Sequence, residues 1–303
     1  MNHLVKAICY GFLCLSTLIA SANLHADTAI TKTGDITDKR ISEASGLAAS
    51  RVQDNLFWII NDSGHDSSLF AVNNQGKIKG SVEIEGIKNK DWEDLAAFEY
   101  KGKHYLLIAD IGDNKGKRKH VTLYVIKEPK SKHLSKKEVH KVKPAWRLKF
   151  TYEDGARDCE SVAVDVKNEK IYLLTKRDTP PVLYELPLQK KPKKQETVAK
   201  KVANIKLSAL TLFEVMNRPT AMDISADGMS AIVMTYTHGY FYQKSPSQGK
   251  KTLFENKPQV FSLPSLNQAE AICFDKQGEH VYMTSEGIPA PLFKLNLEQR
   301  FGK

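Results

Sequence analysis

The feature that most constrains this chain is a phrase of three short strands that recurs five times. Each copy opens with an apolar strand entered through polar residues: Glu43-Ala-Ser45-Gly-Leu47, Asp91-Trp-Glu93-Asp-Leu95, Asp158-Cys-Glu160-Ser-Val162, Arg218-Pro-Thr220-Ala-Met222 and Gln268-Ala-Glu270-Ala-Ile272. A second apolar strand follows and ends in polar turn residues at 61–62, 110, 176–177, 236–237 and 285–286. A third lies at 69–72, 123–126, 183–186, 240–242 and 292–295. Self-similarity at a period of about 50 residues marks stacked β units. The expected fold is therefore all-β, a five-bladed β-propeller, with six blades as the alternative because residues 189–216 are long for one connection. A β-sandwich also offers many short strands, but not five copies of one phrase. Only residues 207–215 read as helical.

The first four copies carry a fourth, outer strand, for instance at 78–84 and 146–150, and the last copy runs out of chain before it has one. Residues 29–36 form a strand-like segment with no partner of their own. If this N-terminal strand completes the C-terminal blade, the ring closes and an exposed sheet edge disappears.

Residues 1–6 are short with one cation, residues 7–20 are almost wholly apolar, and Ala20-Ser21-Ala22 and Leu24-His25-Ala26 are small-residue cleavage patterns. That is the grammar of a secretory signal peptide, and its apolar run falls short of the roughly 20 residues that span a bilayer. The expected organisation is a signal peptide over 1–26 and one propeller domain over 27–303, monomeric, periplasmic or secreted, with no integral membrane segment after cleavage. The mature part keeps Cys159 and Cys273, on non-adjacent copies of the phrase, which predicts separate buried thiols rather than a disulfide. A formal net charge of +10 could suggest nucleic acid, but the lysines crowd into 130–143 and 190–194, segments without apolar period. They read as solvated loops, so nucleic acid is excluded as a partner and a small-molecule or envelope ligand is expected.

Successive strands of a blade are antiparallel, so the start of the first strand and the end of the second share one end of the sheet. That gathers two sets of residues at one channel mouth. The first holds pairs two residues apart: Glu43 with Ser45, Asp91 with Glu93, Asp158 with Glu160, Arg218 with Thr220 and Gln268 with Glu270. A spacing of two keeps each pair on one side of its strand. The second set holds Asn61, Asp62, Asp110, Asp113, Asn114, Lys176, Arg177, Thr237, His238, Ser285 and Glu286.

Carboxylates crowded this way raise one another's pKa unless a cation intervenes. Oxygen ligands from several strands suit a hard ion, calcium first and magnesium second, whereas zinc lacks its histidines and cysteine pair. The metal candidates are Glu43, Asn61, Asp62, Asp91, Glu93, Asp110 and Glu270; the catalytic candidates are Glu160, Asp158, Lys176, Arg177 and Arg218. A plainer reading stands beside this one. Asn-Asp-Ser-Gly at 61–64 and Asp-Ile-Gly-Asp-Asn at 110–114 are good turn formers, and Lys176, Arg177 and Arg218 could simply tie blades together through ion pairs. Trp92 fits inter-blade packing better than ligand stacking, and His65 and His238 fit ordinary loop histidines.

The phrases Glu43-Ala-Ser-Gly-Leu, Trp58-Ile-Ile-Asn-Asp-Ser-Gly64, Asp91-Trp-Glu-Asp, Asp110-Ile-Gly-Asp-Asn and Glu128-Pro129 resemble a family of secreted bacterial β-propellers without an established activity. More distantly the chain is similar to phytase-like esterase propellers and to the gluconolactonase and paraoxonase group. The lactonase resemblance implies a divalent cation at the channel mouth on Glu43, Asn61 and Asp110. Two functions follow as expectations. One is a metal-dependent hydrolase of an ester, lactone or phosphoester, in which a carboxylate activates water and Lys176, Arg177 or Arg218 holds the substrate anion. The other is a non-catalytic binding propeller with a structural ion, because the fold serves both purposes.

Overall fold

Runs of Val, Ile, Leu and aromatic residues bounded by Gly, Asn, Asp and Ser favour pleated strands joined by tight turns. The computed structural model describes residues 28–130, 132, 134–135, 139–189, 197–207, 213–244 and 252–302. The expected signal peptide lies outside the described residues, as do 190–194 and parts of 130–143 and 207–215.

The leading strand is β1 (Ile30–Ile36). The first copy of the phrase forms β2 (Ala44–Ala49), β3 (Leu56–Asn61), β4 (Ser68–Asn73) and β5 (Ile78–Ile84). The second forms β6 (Trp92–Tyr100), β7 (Lys103–Asp110), β8 (Val121–Lys127) and, after the short β9 (His140–Val142), β10 (Trp146–Tyr152). The third forms β11 (Cys159–Asp165), β12 (Lys170–Thr175), β13 (Val182–Pro187) and β14 (Thr197–Asn204). The fourth forms β15 (Pro219–Ile224), β16 (Ser230–Thr235), β17 (His238–Gln243) and β18 (Gln259–Ser262). The fifth forms β19 (Ala269–Phe274), β20 (His280–Ser285) and β21 (Ala290–Asn296), followed by α1 (Leu297–Phe301).

Pairing within each copy is antiparallel and sequential. Two parallel contacts link outer edges: β9 adds to β5, and β10 meets β14 to merge two copies into one eight-stranded sheet. The N-terminal strand β1 pairs antiparallel with β21, from Ile30 opposite Leu295 to Ile36 opposite Ala290. The innermost strands adjoin in the cyclic order β2, β6, β11, β15, β19 and back to β2, which is the organisation of a β-propeller around a central channel.

The core follows from that ring. Innermost strands are buried along their length, Glu99 near the end of β6 excepted, so they read as near-continuous apolar runs rather than alternating ones. A separate apolar cluster fills the space between each neighbouring pair of copies. Trp58 and Trp92 are fully buried in the cluster between the first two, so Trp92 packs and does not stack on a ligand. Cys159 and Cys273 are free and buried in different clusters. Among the described residues of the expected helix over 207–215, only the short 3-10 turn Glu214–Asn217 forms, and among all the described residues no helix is long and apolar enough to cross a membrane.

Polar ties cross the ring at its centre. The Asp94 carboxylate is fully buried and accepts from the backbone N–H of Leu95 (2.8 Å), Val162 (2.8 Å) and Met222 (3.3 Å), on three different innermost strands. Ser45 donates its hydroxyl to the Trp92 carbonyl and Thr220 donates to that of Ala269. Gly46 is required by close approach, because a Cβ there would lie 2.7 Å from the Leu95 nitrogen.

Candidate functional site at one channel mouth

One irregularity repeats in all five copies and makes the site. The pairing register between first and second strands slips between Ala44 and Gly46, Trp92 and Asp94, Cys159 and Ser161, Pro219 and Ala221, and Ala269 and Ala271. The skipped residues are Ser45, Glu93, Glu160, Thr220 and Glu270. A bulge leaves its extra residue outside the ladder and re-aims the side chain, so the second column of the sequence pattern is a column of bulges at one end of the channel. The turn after the second strand is held beside it by backbone bonds, Asp62 N to Glu43 O, Gly112 N to Asp91 O, Lys176 N to Asp158 O and Glu286 N to Gln268 O.

On one side of this mouth, carboxylate oxygens of Asp62, Asp91 and Glu93 lie within 4.8 Å of one another. An ion about 2.4 Å from each ligand oxygen spans separations up to about 4.8 Å, the spacing calcium uses. Glu93 is 5 % exposed, and its carboxylate has no hydrogen-bond donor among the described residues. Burial, with Glu160, Asp62 and Asp91 nearby, holds its pKa well above the ordinary range, and Lys176 only partly opposes this. Asp91 is pushed up to about 6 by burial and by the charge of Asp62. The backbone of Gly112 presses directly on both acids; a Cβ there would meet Glu93 Oε1 at 1.9 Å and Asp91 Oδ2 at 2.6 Å. Asn89 aligns the loops by donating to the carbonyls of Asn61 (3.0 Å) and Asp62 (2.7 Å) and accepting from Trp92 N (3.1 Å).

Across the mouth sits a second group. The buried Lys176 ammonium bonds Glu160 and lies 3.6 Å from Glu270 Oε1 and 5.2 Å from the centre of the Tyr236 ring. Burial alone would lower its pKa, but the carboxylates of Glu160 and Glu270 outweigh burial and raise it. Tyr236 donates its hydroxyl to Glu270 at 3.2 Å. Glu286 is pushed up to about 8 by burial and by Glu270. Arg177 bonds Asp158 at 2.5 Å and also Asn114, while Asp158 accepts from Asp113 N at 2.8 Å.

The predicted site residues thus divide. Asp62, Asp91 and Glu93 converge as a candidate ion site. Glu160, Glu270, Lys176, Asp158 and Arg177 form the ion-pair ties that the plainer reading anticipates. The set Glu43, Asn61 and Asp110 is engaged otherwise. Asn61 accepts from Glu43 N (3.3 Å) and donates to Arg40 O (2.6 Å), both ends serving turn geometry. Asp110 pairs with Arg118 at 2.6 Å, and Glu43 is half exposed with His65 3.8 Å away. Arg218 follows the 3-10 turn, partly exposed, and its side chain makes no ion pair among the described residues.

Sequence reasoning missed Asn89, Gly112, Arg118 and Tyr236. Asn89 lies just before one quoted motif, Gly112 lies within another, and Tyr236 stands where a second strand of the repeated phrase ends, so these could have been found there; Arg118 reaches the site from a loop with no pattern of its own. It also missed a shallow hollow of about 470 Å³ in which Asp91 is joined by Arg118 and the exposed Lys90, Lys119 and Lys149.

The model of the family described as SdiA-regulated matches residues 27–296 of the chain. No curated protein matches. Among solved structures, the major allergen Mala s 1 of Malassezia sympodialis superposes with a TM-score of 0.56 at 11% identity, over 87% of this chain and 95% of the allergen. The PQQ-bound aldose sugar dehydrogenase of Streptomyces coelicolor superposes with a TM-score of 0.50 at 10% identity, over 88% of this chain and 97% of the dehydrogenase. At such identities these likenesses speak to the propeller fold alone.

Proposed function

We propose that this chain, which belongs to the SdiA-regulated family, is an exported five-bladed β-propeller that holds a divalent cation, calcium by preference, on Asp62, Asp91 and Glu93 and hydrolyses an anionic ester there. The observation that carries this reading is the meeting of three carboxylates, Asp62, Asp91 and the mostly buried Glu93, within the span of one ion. Five blades are supported by the cyclic order of the innermost strands and by one apolar cluster between each adjacent pair. Export, to the periplasm or beyond it, is supported by the leader-like residues 1–26.

A bound divalent ion would supply Lewis acidity for the substrate oxygen and for a water. The chain's own residues supply the rest. Lys90, Lys119 and Lys149 line the hollow that Asp91 shares and hold the substrate anion, since Lys176 and Arg177 are already matched by carboxylates. Glu286, whose pKa is raised by burial and by Glu270 at the same mouth and which faces Asp62, is the proton donor to the leaving group. Substrates of this chemistry are esters, lactones and phosphoesters.

The test is calorimetric titration of chelator-treated protein with calcium and magnesium, followed by turnover of aryl ester, lactone and phosphodiester panels. One ion per chain is expected, with Glu93→Gln and Asp91→Asn weakening it at least roughly tenfold and removing turnover. Absence of binding at millimolar ion drops the reading. Binding lost in the variants but accompanied by no turnover favours a non-catalytic propeller with a structural ion, a reading that the carboxylate-matched Lys176 and Arg177 also support.

A further inference from the structure

The same innermost strands that begin at the acidic mouth end in tight hairpins at the other, and there they enclose a second cavity of about 420 Å³. Arg51, Phe98, His104, Val164, Lys167 and Lys276 line it. From Glu160 to Val164 is four residues of one strand, about 13 Å at roughly 3.3 Å per residue, so this is a different place from the ion site. Its volume falls within the range of small-molecule pockets.

The lining chemistry is specific. Arg51 is 9 % exposed, and its guanidinium donates only to neutral carbonyls, from Nε to Ala97 O (3.1 Å) and from Nη1 to Asp275 O and Lys276 O (3.5 Å each). Asp223 interacts with Arg51 electrostatically, but its carboxylate makes its hydrogen bonds to the backbone N–H of Ile224 and Phe274. Lys276 pairs with the exposed Asp54, and Lys167 has no counter-ion among the described residues. Glu99 is the one carboxylate in the lining, and it is exposed. The Nδ1 atom of His104 is buried without a hydrogen-bond partner in the described structure. Phe98, Val164 and Ile224 supply apolar wall. A built, nearly buried cation without a direct carboxylate partner, set beside apolar wall and an unmatched imidazole nitrogen, is a recess for one charge of negative sign on an apolar body.

We propose that this cavity is a second ligand site, for a small amphipathic organic anion of roughly ten to twenty non-hydrogen atoms, bound by charge at Arg51 and Lys167 and by burial of its apolar part.

The probe is anilinonaphthalene sulfonate, titrated by fluorescence into the full folded chain, with octanoate as competitor. Saturable binding of one probe per chain is expected, displaced by octanoate. The double variant Lys167→Glu, Lys276→Glu, both at turn positions, weakens binding roughly tenfold or more with an unchanged melting temperature, while Glu93→Gln leaves it unchanged. The proposal is overturned by non-saturable binding, by equal affinity in the double variant, or by loss of binding in Glu93→Gln. Because calcium binding at the other mouth is measured separately, failure here and failure of the ion site are distinguishable.

Discussion

The two mouths of the channel are built from the same strands yet carry opposite electrostatics. At one, five bulges bring in Ser45, Glu93, Glu160, Thr220 and Glu270, and the cations that face them, Lys176 and Arg177, are already bonded to carboxylates. At the other, Arg51 is held by carbonyls and Lys167 has no counter-ion in the described structure. The contrast teaches that the sign of charge offered by an innermost strand depends on which end is read. Bulges bring three acids, Glu93, Glu160 and Glu270, to the channel where strands begin, and the turns that follow β2, β11 and β19 bring Arg51, Lys167 and Lys276 to its rim where they end.

The hardest way to break this contrast is to remove the cation that stabilises the acidic mouth. Lys176→Met leaves Glu160 and Glu270 buried beside each other without their shared ammonium, and the expected loss is about 3–5 kcal/mol, read from urea denaturation at neutral pH. A loss under about 1 kcal/mol would mean that the mouth is wetter than its burial indicates. Next comes the tie across the ring: Asp94→Ala strips the acceptor from three buried backbone N–H groups and is expected to cost about 3 kcal/mol, whereas Asp94→Asn, which keeps an acceptor oxygen, costs less. Equal costs for the two would sever the link to hydrogen bonding.

The smallest effect sharpens the comparison through pH. Asp91 and Glu286 have folded pKa values raised to about 6 and about 8. In the ion-free protein their protonated forms favour the fold, so stability is fully present below the unfolded carboxylate range and falls as pH rises through about 6 and then about 8. The proposed calcium ion would bind the ionised forms, so its melting-temperature increment is expected to grow from pH 5 to pH 8 and to vanish in Glu93→Gln. An increment that is flat with pH would separate the ion from these acids. The far mouth adds a slope of its own through Asp223, whose carboxyl is pushed up to about 6 by burial against the opposing charge of Arg51.

Much of this was legible in the sequence, and the illegible part has a physical reason. The repeated phrase placed every innermost strand and predicted the pairing of residues 29–36 with the last copy, because burial and period act locally and leave their mark on residue type. The bulged acids were visible as a column two residues after another polar column, although the bulge itself was not. Partner choice was not legible. Asp110 looks like an ion ligand in its phrase, yet Arg118, eight residues on, returns through a loop to bind it. Asn61 looks like a ligand, yet both ends of its amide are consumed by nearby backbone. Glu128 is explained only in three dimensions, where it accepts from Trp58 Nε1 and Arg51 N at 3.0 Å each. The basic mouth was missed entirely, since Arg51, Lys167 and Lys276 sit in turns whose composition reads as solvent-facing.

The pairing of β1 with β21 also dictates an order of events during synthesis. Ile30–Ile36 emerges from the ribosome before any other described strand, yet its partner Ala290–Asn296 is the last of them to be made. The earliest strand must therefore wait as unpaired chain until nearly all the rest exists, and closing a loop of that length makes the final step entropically slow. The ring cannot lock while its last hairpin is still missing, so a nascent chain stays open until its synthesis is nearly done.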